Sequence, residues 1–285
     1  MVTVYNFSNG LVSPALGYVV SCLGAFLGLR CVKHARARDG RRRAAWLCLA
    51  AVAIGATGVW AMHFIAMLGF AIPYQTILYN VPITIASMVL AIVVVGAGLF
   101  IVSYGDGGWK RLLAGGVIVG LGVASMHYIG MEAMVTPDTM SYNPLLLIVS
   151  VAIAIIAGTA ALWIGTWVSG WLPTLGSSMV MGVAVSGMHY TAMAAMHVYP
   201  GSGMTAMGGV SAGAFLVPLI VGISMITLVL TLIISLSASE EEIALDARDR
   251  HNLAELERKQ REQAWQGRDS VRTREVHNPR GPRFR

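Results

Sequence analysis

Apolar residues run through this chain in seven long blocks, approximately 11–30, 44–70, 82–104, 112–134, 145–169, 177–198 and 210–236. Charged residues gather between the blocks and after the last one. A hydrocarbon core about 30 Å thick is crossed by a helix of roughly 20 apolar residues, and each block reaches that length. An isolated strand in lipid would leave its backbone N–H and C=O groups unpaired, so helix is the conformation predicted. Frequent glycines fit this reading, because small residues let membrane helices approach closely. The expected fold class is all-α: a polytopic membrane protein with seven transmembrane helices.

Charge divides the chain in two. Residues 1–236 carry nine basic and four acidic side chains, whereas residues 237–285 carry eleven and ten. The expected domains are therefore a membrane domain over 1–236 and a charged tail over 237–285. In the tail, Ser239 with Glu242 resembles a capping box opening a juxtamembrane helix to about Gln266. The Arg-rich end from Gly267 reads as disordered. Overall, 56% of residues are apolar and 12% charged, against about 45–50% and about 25% in soluble domains. That excludes a soluble enzyme, a disordered protein and a disulfide scaffold. Cys22, Cys31 and Cys48 show no CxxC spacing and read as small apolar packing groups.

The basic residues set the orientation. Residues 33–43 are strongly basic, and Lys110 and Arg111 mark the third connection. Segments 71–81, 135–144 and 199–209 hold no Lys or Arg. Basic loops stay in the cytoplasm, which places the N-terminus outside and the C-terminus inside. The net charge of +6 is then mostly orientation, and no nucleic-acid partner is expected. Trp46, Trp109 and Trp171 are predicted at the inner interface, with Tyr74, Tyr79, Tyr142 and Tyr199 at the outer one. No basic segment precedes the first apolar run, so no cleavable signal peptide is expected.

The blocks also repeat. Met62-His63-Phe64-Ile65-Ala66-Met67, Met126-His127-Tyr128-Ile129-Gly130-Met131 and Met188-His189-Tyr190-Thr191-Ala192-Met193 align without gaps on the second, fourth and sixth blocks. The first two copies are followed by Tyr79-Asn80-Val81-Pro82 and Tyr142-Asn143-Pro144. Each unit is a helix pair, so the three repeats are parallel, and a seventh helix stands outside the scheme. Parallel repeats favour a pseudo-threefold axis along the membrane normal. Each histidine is expected in the outer half of the bilayer, all three at similar depth.

Positions i and i+4 share a helix face, which pairs His63 with Met67, His127 with Met131 and His189 with Met193. Met134 and Met196 would extend two of these stripes by a turn. Imidazole in hydrocarbon is costly unless paired or ligated. The residues alone leave open a metal site, a structural histidine cluster, haem ligation and a proton relay. If a metal binds, thioether and imidazole together select copper, above all Cu(I). Glu132, the acidic residue inside a predicted span, is an auxiliary candidate for charge compensation or for reaching the headgroups. His197 at the end of the sixth block is another auxiliary candidate, or an interfacial residue. His34, His251 and His277 fall in charged segments and are expected to be solvated.

The triple Met-His-aromatic pattern resembles the MHYT domain family of bacterial integral membrane sensors, over essentially all of residues 1–236. Only Met188-His189-Tyr190-Thr191 has the literal tetrad, and Phe64 in the first copy excludes a threefold role for a tyrosine hydroxyl. The resemblance implies a sensory domain of the bacterial inner membrane that binds copper and through it detects a diatomic gas such as O2, CO or NO. Carried over residue by residue, it nominates His63, His127 and His189 with Met67, Met131 and Met193. Such domains are often joined to diguanylate cyclase, phosphodiesterase or histidine kinase modules. The tail holds no GGDEF-like run or kinase motif, so no enzymatic activity is expected, and output would pass to a separate cytoplasmic signalling protein. The alternatives are a copper transporter or metallochaperone, and a haem-binding membrane protein, since haem iron also accepts His and Met. Against transport, no second His/Met series lies in the inner half to carry the ion onward.

Overall fold

A computed structural model of the chain describes residues 2–105, 108–168, 170–201 and 208–236, together with residues 255, 258 and 261. Residues Met1–Ser237 form one compact unit and Ala238–Arg285 a second, in which the helical Glu255, Arg258 and Arg261 are described. The predicted capping box, the remainder of the tail helix, the disordered end, His251 and His277 lie outside the described residues.

Among the described residues, the first unit contains seven long helices: α1 (Val12–Arg36), α2 (Gly40–Met67), α3 (Val81–Ser103), α4 (Trp109–Glu132), α5 (Pro144–Trp167), α6 (Trp171–Ala195) and α7 (Ala212–Leu236). All except α6 are both long and apolar enough to cross a membrane. α6 matches them in length, but Ser177, Ser178, Ser186, His189 and Thr191 dilute its apolar character. The Asn-Pro signatures seen in the sequence are helix starts. Asn80 accepts a hydrogen bond from the Ile83 N–H (3.2 Å), and Asn143 accepts from Leu145 and Leu146 (3.0 and 3.3 Å). A proline follows in the first turn of each helix, where its missing N–H and fixed φ cost nothing.

Successive helices from α1 to α6 pack side by side, and α6 returns to α1, so the six close into a ring. α7 stands outside the ring against α1 and α2. The motif-bearing helices α2, α4 and α6 therefore alternate around the ring. Glycine draws some neighbours to backbone contact: a side chain at Gly120 would collide with the Ile155 backbone of α5.

α2 differs from its counterparts. Its middle, Ala53–Ala61, is wound as a π-helix, a geometry with i→i+5 hydrogen bonds that is rare beyond single turns. Within it Trp60 donates to the Ser87 hydroxyl (3.0 Å) on α3, and Thr57 bonds Thr227 (2.9 Å) on α7.

Among the described residues, five short strands lie in the expected outer loops and in the adjoining ends of the apolar blocks. β1 (Leu78–Tyr79) pairs antiparallel with β2 (Met134–Val135) and β5 (Val210–Ser211). β3 (Thr139–Tyr142) pairs antiparallel with β4 (Met196–Tyr199). The N-terminal segment joins this layer through Val2 N–H to the Val198 carbonyl (2.7 Å) and a bridge from Tyr5 to Ala71. The layer overturns part of the predicted stripes. α4 ends at Glu132 and α6 at Ala195, so Met134 and Met196 sit in strands rather than on a further helical turn. The histidines accordingly lie only four, five and six residues before Met67, Glu132 and Ala195. Pairing between loops gives their backbone groups partners that an unsupported helical end would lack.

Four other expectations are corrected. His34 is buried, because α1 runs on to Arg36, and its ring stacks on Trp46 at 4.4 Å. Trp46 is therefore packed inside instead of lying in an aromatic belt, whereas Trp109 and Trp171 are exposed. Tyr79, within β1, is buried, whereas Tyr74 and Tyr199 are exposed. Cys31 is buried and Cys22 partly so, but Cys48 is exposed; all three are free thiols.

Candidate metal centre

The three motif histidines arrive from α2, α4 and α6 at a single point. His63, His127 and His189 are buried to 1%, 0% and 1% exposure. Their Nδ1 atoms form a nearly regular triangle, with His63–His127 and His63–His189 at 3.1 Å and His127–His189 at 3.3 Å. Residues 62 to 64 positions apart in the chain thus present the same atom to one centre.

The triangle poses a problem that protein atoms alone do not solve. A neutral imidazole nitrogen is either a donor or an acceptor. Around three nitrogens the two roles cannot alternate, so at least one contact opposes donor to donor or acceptor to acceptor. A cation at the middle removes the conflict by taking all three lone pairs. A triangle with these sides has its centre about 1.8 Å from each corner, close to metal–imidazole bonds of roughly 2.0–2.1 Å. Among the described residues, these three make up the whole group of His, Cys, Asp and Glu able to hold a metal. A fully neutral ligand set in a buried site favours a low ionic charge, since uncompensated charge is costly there.

The aromatic position of the motif has a visible task. Phe64, Tyr128 and Tyr190 each stand edge-on to the preceding histidine, at 4.6, 5.1 and 4.8 Å between ring centres. This contact uses the ring and not a hydroxyl, so phenylalanine and tyrosine can both make it. Gly130, the small residue of the second copy, lies against His63: a Cβ there would sit 2.6 Å from His63 Nε2. The shared small residue of the motif was the signal for this close approach. The Nε2 atoms of His63 and His127 are buried with no partner among the described residues.

Of the other predicted residues, Met67, Met131 and Met193 are buried in the same apolar cluster, on helical turns following the histidines. Met134 and Met196 join that cluster from the strands. Glu132 ends α4 exposed and stays outside the histidine group. Burial and the nearby Glu132 charge push the Tyr142 phenol upward from its ordinary pKa. His197 lies in β4 opposite Ser141, and its Nδ1–H donates to the Ala195 carbonyl at 3.2 Å. It is half-buried and separate from the triangle.

Comparisons with known proteins agree with this organisation. The family model described as the MHYT bacterial signalling protein N-terminal repeat matches twice, over residues 57–115 and 120–177. Its frame runs from one motif-bearing helix into the start of the next, so it is shifted against the helix pairs of the sequence reading. The chain is 34% identical over 240 residues to the bifunctional diguanylate cyclase/cyclic di-GMP phosphodiesterase MucR of Pseudomonas aeruginosa, covering 82% of this chain and 35% of that protein. It is 33% identical to the cyclic di-GMP phosphodiesterase NbdA of the same organism, covering 67% of this chain and 25% of that one. The signalling protein YkoW of Bacillus subtilis is 32% identical over 63% of this chain and 23% of its own length. The chain thus spans about a third or less of the curated relatives it matches. No solved structure matches it. Two matched repeats and three converging copies of the motif carry one conclusion: the chain belongs to the MHYT family.

Proposed function

We propose that this membrane protein is a sensor whose His63–His127–His189 triangle holds one copper ion, as Cu(I), and detects a diatomic gas. The observation that carries the reading is the odd ring of three Nδ1 atoms within 3.3 Å of one another. Met67, Met131 and Met193, each four residues after a histidine and so on its helix face, would offer soft sulfur, which favours copper over zinc. Bound Cu(I) would contribute a soft centre with an open coordination position for a small neutral ligand. The protein's own part is to hold three imidazoles in fixed orientation and keep water away.

In this reading the chain crosses a bacterial inner membrane seven times, with α6 included, N-terminus outside and C-terminus in the cytoplasm. Its three helix-pair repeats surround a pseudo-threefold axis that passes through the triangle. A change at the triangle would be felt by α2, α4 and α6 together and reported by the 237–285 tail to a cytoplasmic signalling protein. Signalling names of the relatives support the sensory role, and no catalytic step is assigned to this chain. Haem is disfavoured because its two axial positions leave a third equivalent histidine unused.

Metal content of the detergent-purified chain tests the proposal. About one copper per chain is expected for the wild type, with loss in the H63A/H127A/H189A variant. Equal copper in both would overturn the site. Spectra that respond to CO or O2, with no copper flux in proteoliposomes, would separate sensing from transport; a Soret band would indicate haem instead.

A further inference from the structure

On the N-terminal side of the histidine triangle the ring of helices is not fully packed. A cavity of about 70 Å3 lies between α2, α3, α4, α5 and α6. Its floor includes Val59, Val123 and Val185, each four residues before one of the three histidines and so on the same helix face. One helical turn, about 6 Å, separates these valines from the imidazoles along the helix. Met188, beside His189 in the chain, also lines it. Every lining side chain is apolar.

The cavity reaches the lipid-facing surface between α5 and α6, where the lining residues Ala160 and Val180 are exposed. Small residues explain the gap. At the α4–α5 seam, glycines bring the backbones into contact. At the α5–α6 seam, Ala157, Ala160 and Ala161 of α5 and Ala184 of α6 offer only methyl groups, and a hole remains. On the opposite side of the triangle the strand layer follows the helix ends, with its own Tyr79, Met134, Met196 and Val198 buried.

We infer that this cavity is a dry binding site for a small neutral apolar molecule, entered from the bilayer between α5 and α6 and ending beneath the histidines. An apolar cavity of this kind stays free of water and takes up apolar guests such as xenon. The volume is several times the ~10–15 Å3 that one water-sized molecule needs, and too small for a lipid tail. Ions are excluded by the cost of leaving water. Occupancy of the cavity stands on the geometry; that its guest then meets a metal rests on the function proposed above.

Xenon is the probe, applied to the full metal-free chain in lipid nanodiscs and followed by 129Xe NMR and by crystals grown under xenon pressure. The wild type should show one saturable site at the cavity. A161L, which fills it, should abolish that site. A160F, placed at the lipid-facing mouth where folding is undisturbed, should slow xenon exchange at least tenfold. Wild-type protein without a xenon site, or with a lipid tail or ordered water in the cavity, overturns the inference. So does unchanged exchange in A160F. Because no metal is used, a protein that binds xenon but no copper refutes the proposed function alone; one that binds copper but no xenon refutes the cavity alone.

Discussion

α2 and its counterparts α4 and α6 carry the same hexapeptide and deliver the same atom to the same triangle, yet they reach it differently. Every residue from 55 to 67 is buried, whereas α4 exposes Leu121 and Ser125 and α6 exposes Val183 and Gly187 around the corresponding positions. The reason is α7, which packs against α2, while the outer faces of α4 and α6 stay exposed. Surrounded on all sides, α2 turns Trp60 toward α3, Thr57 toward α7 and His63 toward the centre. The π-helical stretch allows this division of directions, and neither α4 nor α6 contains one. The aromatic residue follows the same logic. Phe64 is wholly buried, while Tyr128 and Tyr190 are half-buried, and the Tyr128 hydroxyl meets Ser150 at 2.8 Å. The lesson is that the motif specifies the site, and the surroundings of each copy specify the rest.

Replacing the histidines one at a time asks whether the copies are equivalent at the metal. H63A, H127A and H189A should each lower Cu(I) affinity by more than the about 10–100-fold typical of losing an outer partner of a ligand, measured by chelator competition. A variant that keeps wild-type affinity would remove its copy from the site. Trp60 has no counterpart, since the matching positions are Ala124 and Ser186. Trp60→Ala should therefore lower stability by about 3–5 kcal/mol in thermal unfolding of the purified protein; a loss under half of that would show the π-helical stretch repacking freely.

Gly130→Ala tests the close approach to His63. Overpacking of about 1–3 kcal/mol is expected, with weakened copper binding; unchanged copper affinity would mean that His63 has room to move. The aromatic exchange should be unequal between copies. Phe64→Tyr, which adds a hydroxyl to a closed environment, should cost about 1–3 kcal/mol. Tyr128→Phe loses one hydrogen bond in a membrane bundle, worth about 0.6 kcal/mol. Equal effects would break the contrast drawn between the two surroundings. Thr227→Val, which removes the hydrogen bond between Thr57 and α7, should cost a similar amount, about 0.6 kcal/mol.

The apolar blocks, the Asn-Pro helix starts and the three Met-His-aromatic copies were legible because each is a local pattern. Helix length, helix caps and the i, i+4 face depend on residues within a turn or two. Met134 and Met196 were misplaced because strand pairing between Tyr79 and Met134, or between Tyr142 and Met196, joins loops distant in sequence. His34 and Trp46 were misread because hydropathy counts charge near a residue and is blind to the ring stacked upon it. Nothing in the alternation of residues announces the π-helix of α2.

From sequence alone this protein is a bundle of apolar helices, three of which carry a histidine at matching positions. That much depends on periodicity and on the cost of polar groups in lipid. Which nitrogen each histidine presents, and that three of them meet within 3.3 Å, was decided by the closing of the helix ring. So was the apolar cavity beside them. Distances between residues more than sixty positions apart depend on helix tilt, on glycine contacts and on what packs behind each helix, and those exist only once the chain has folded.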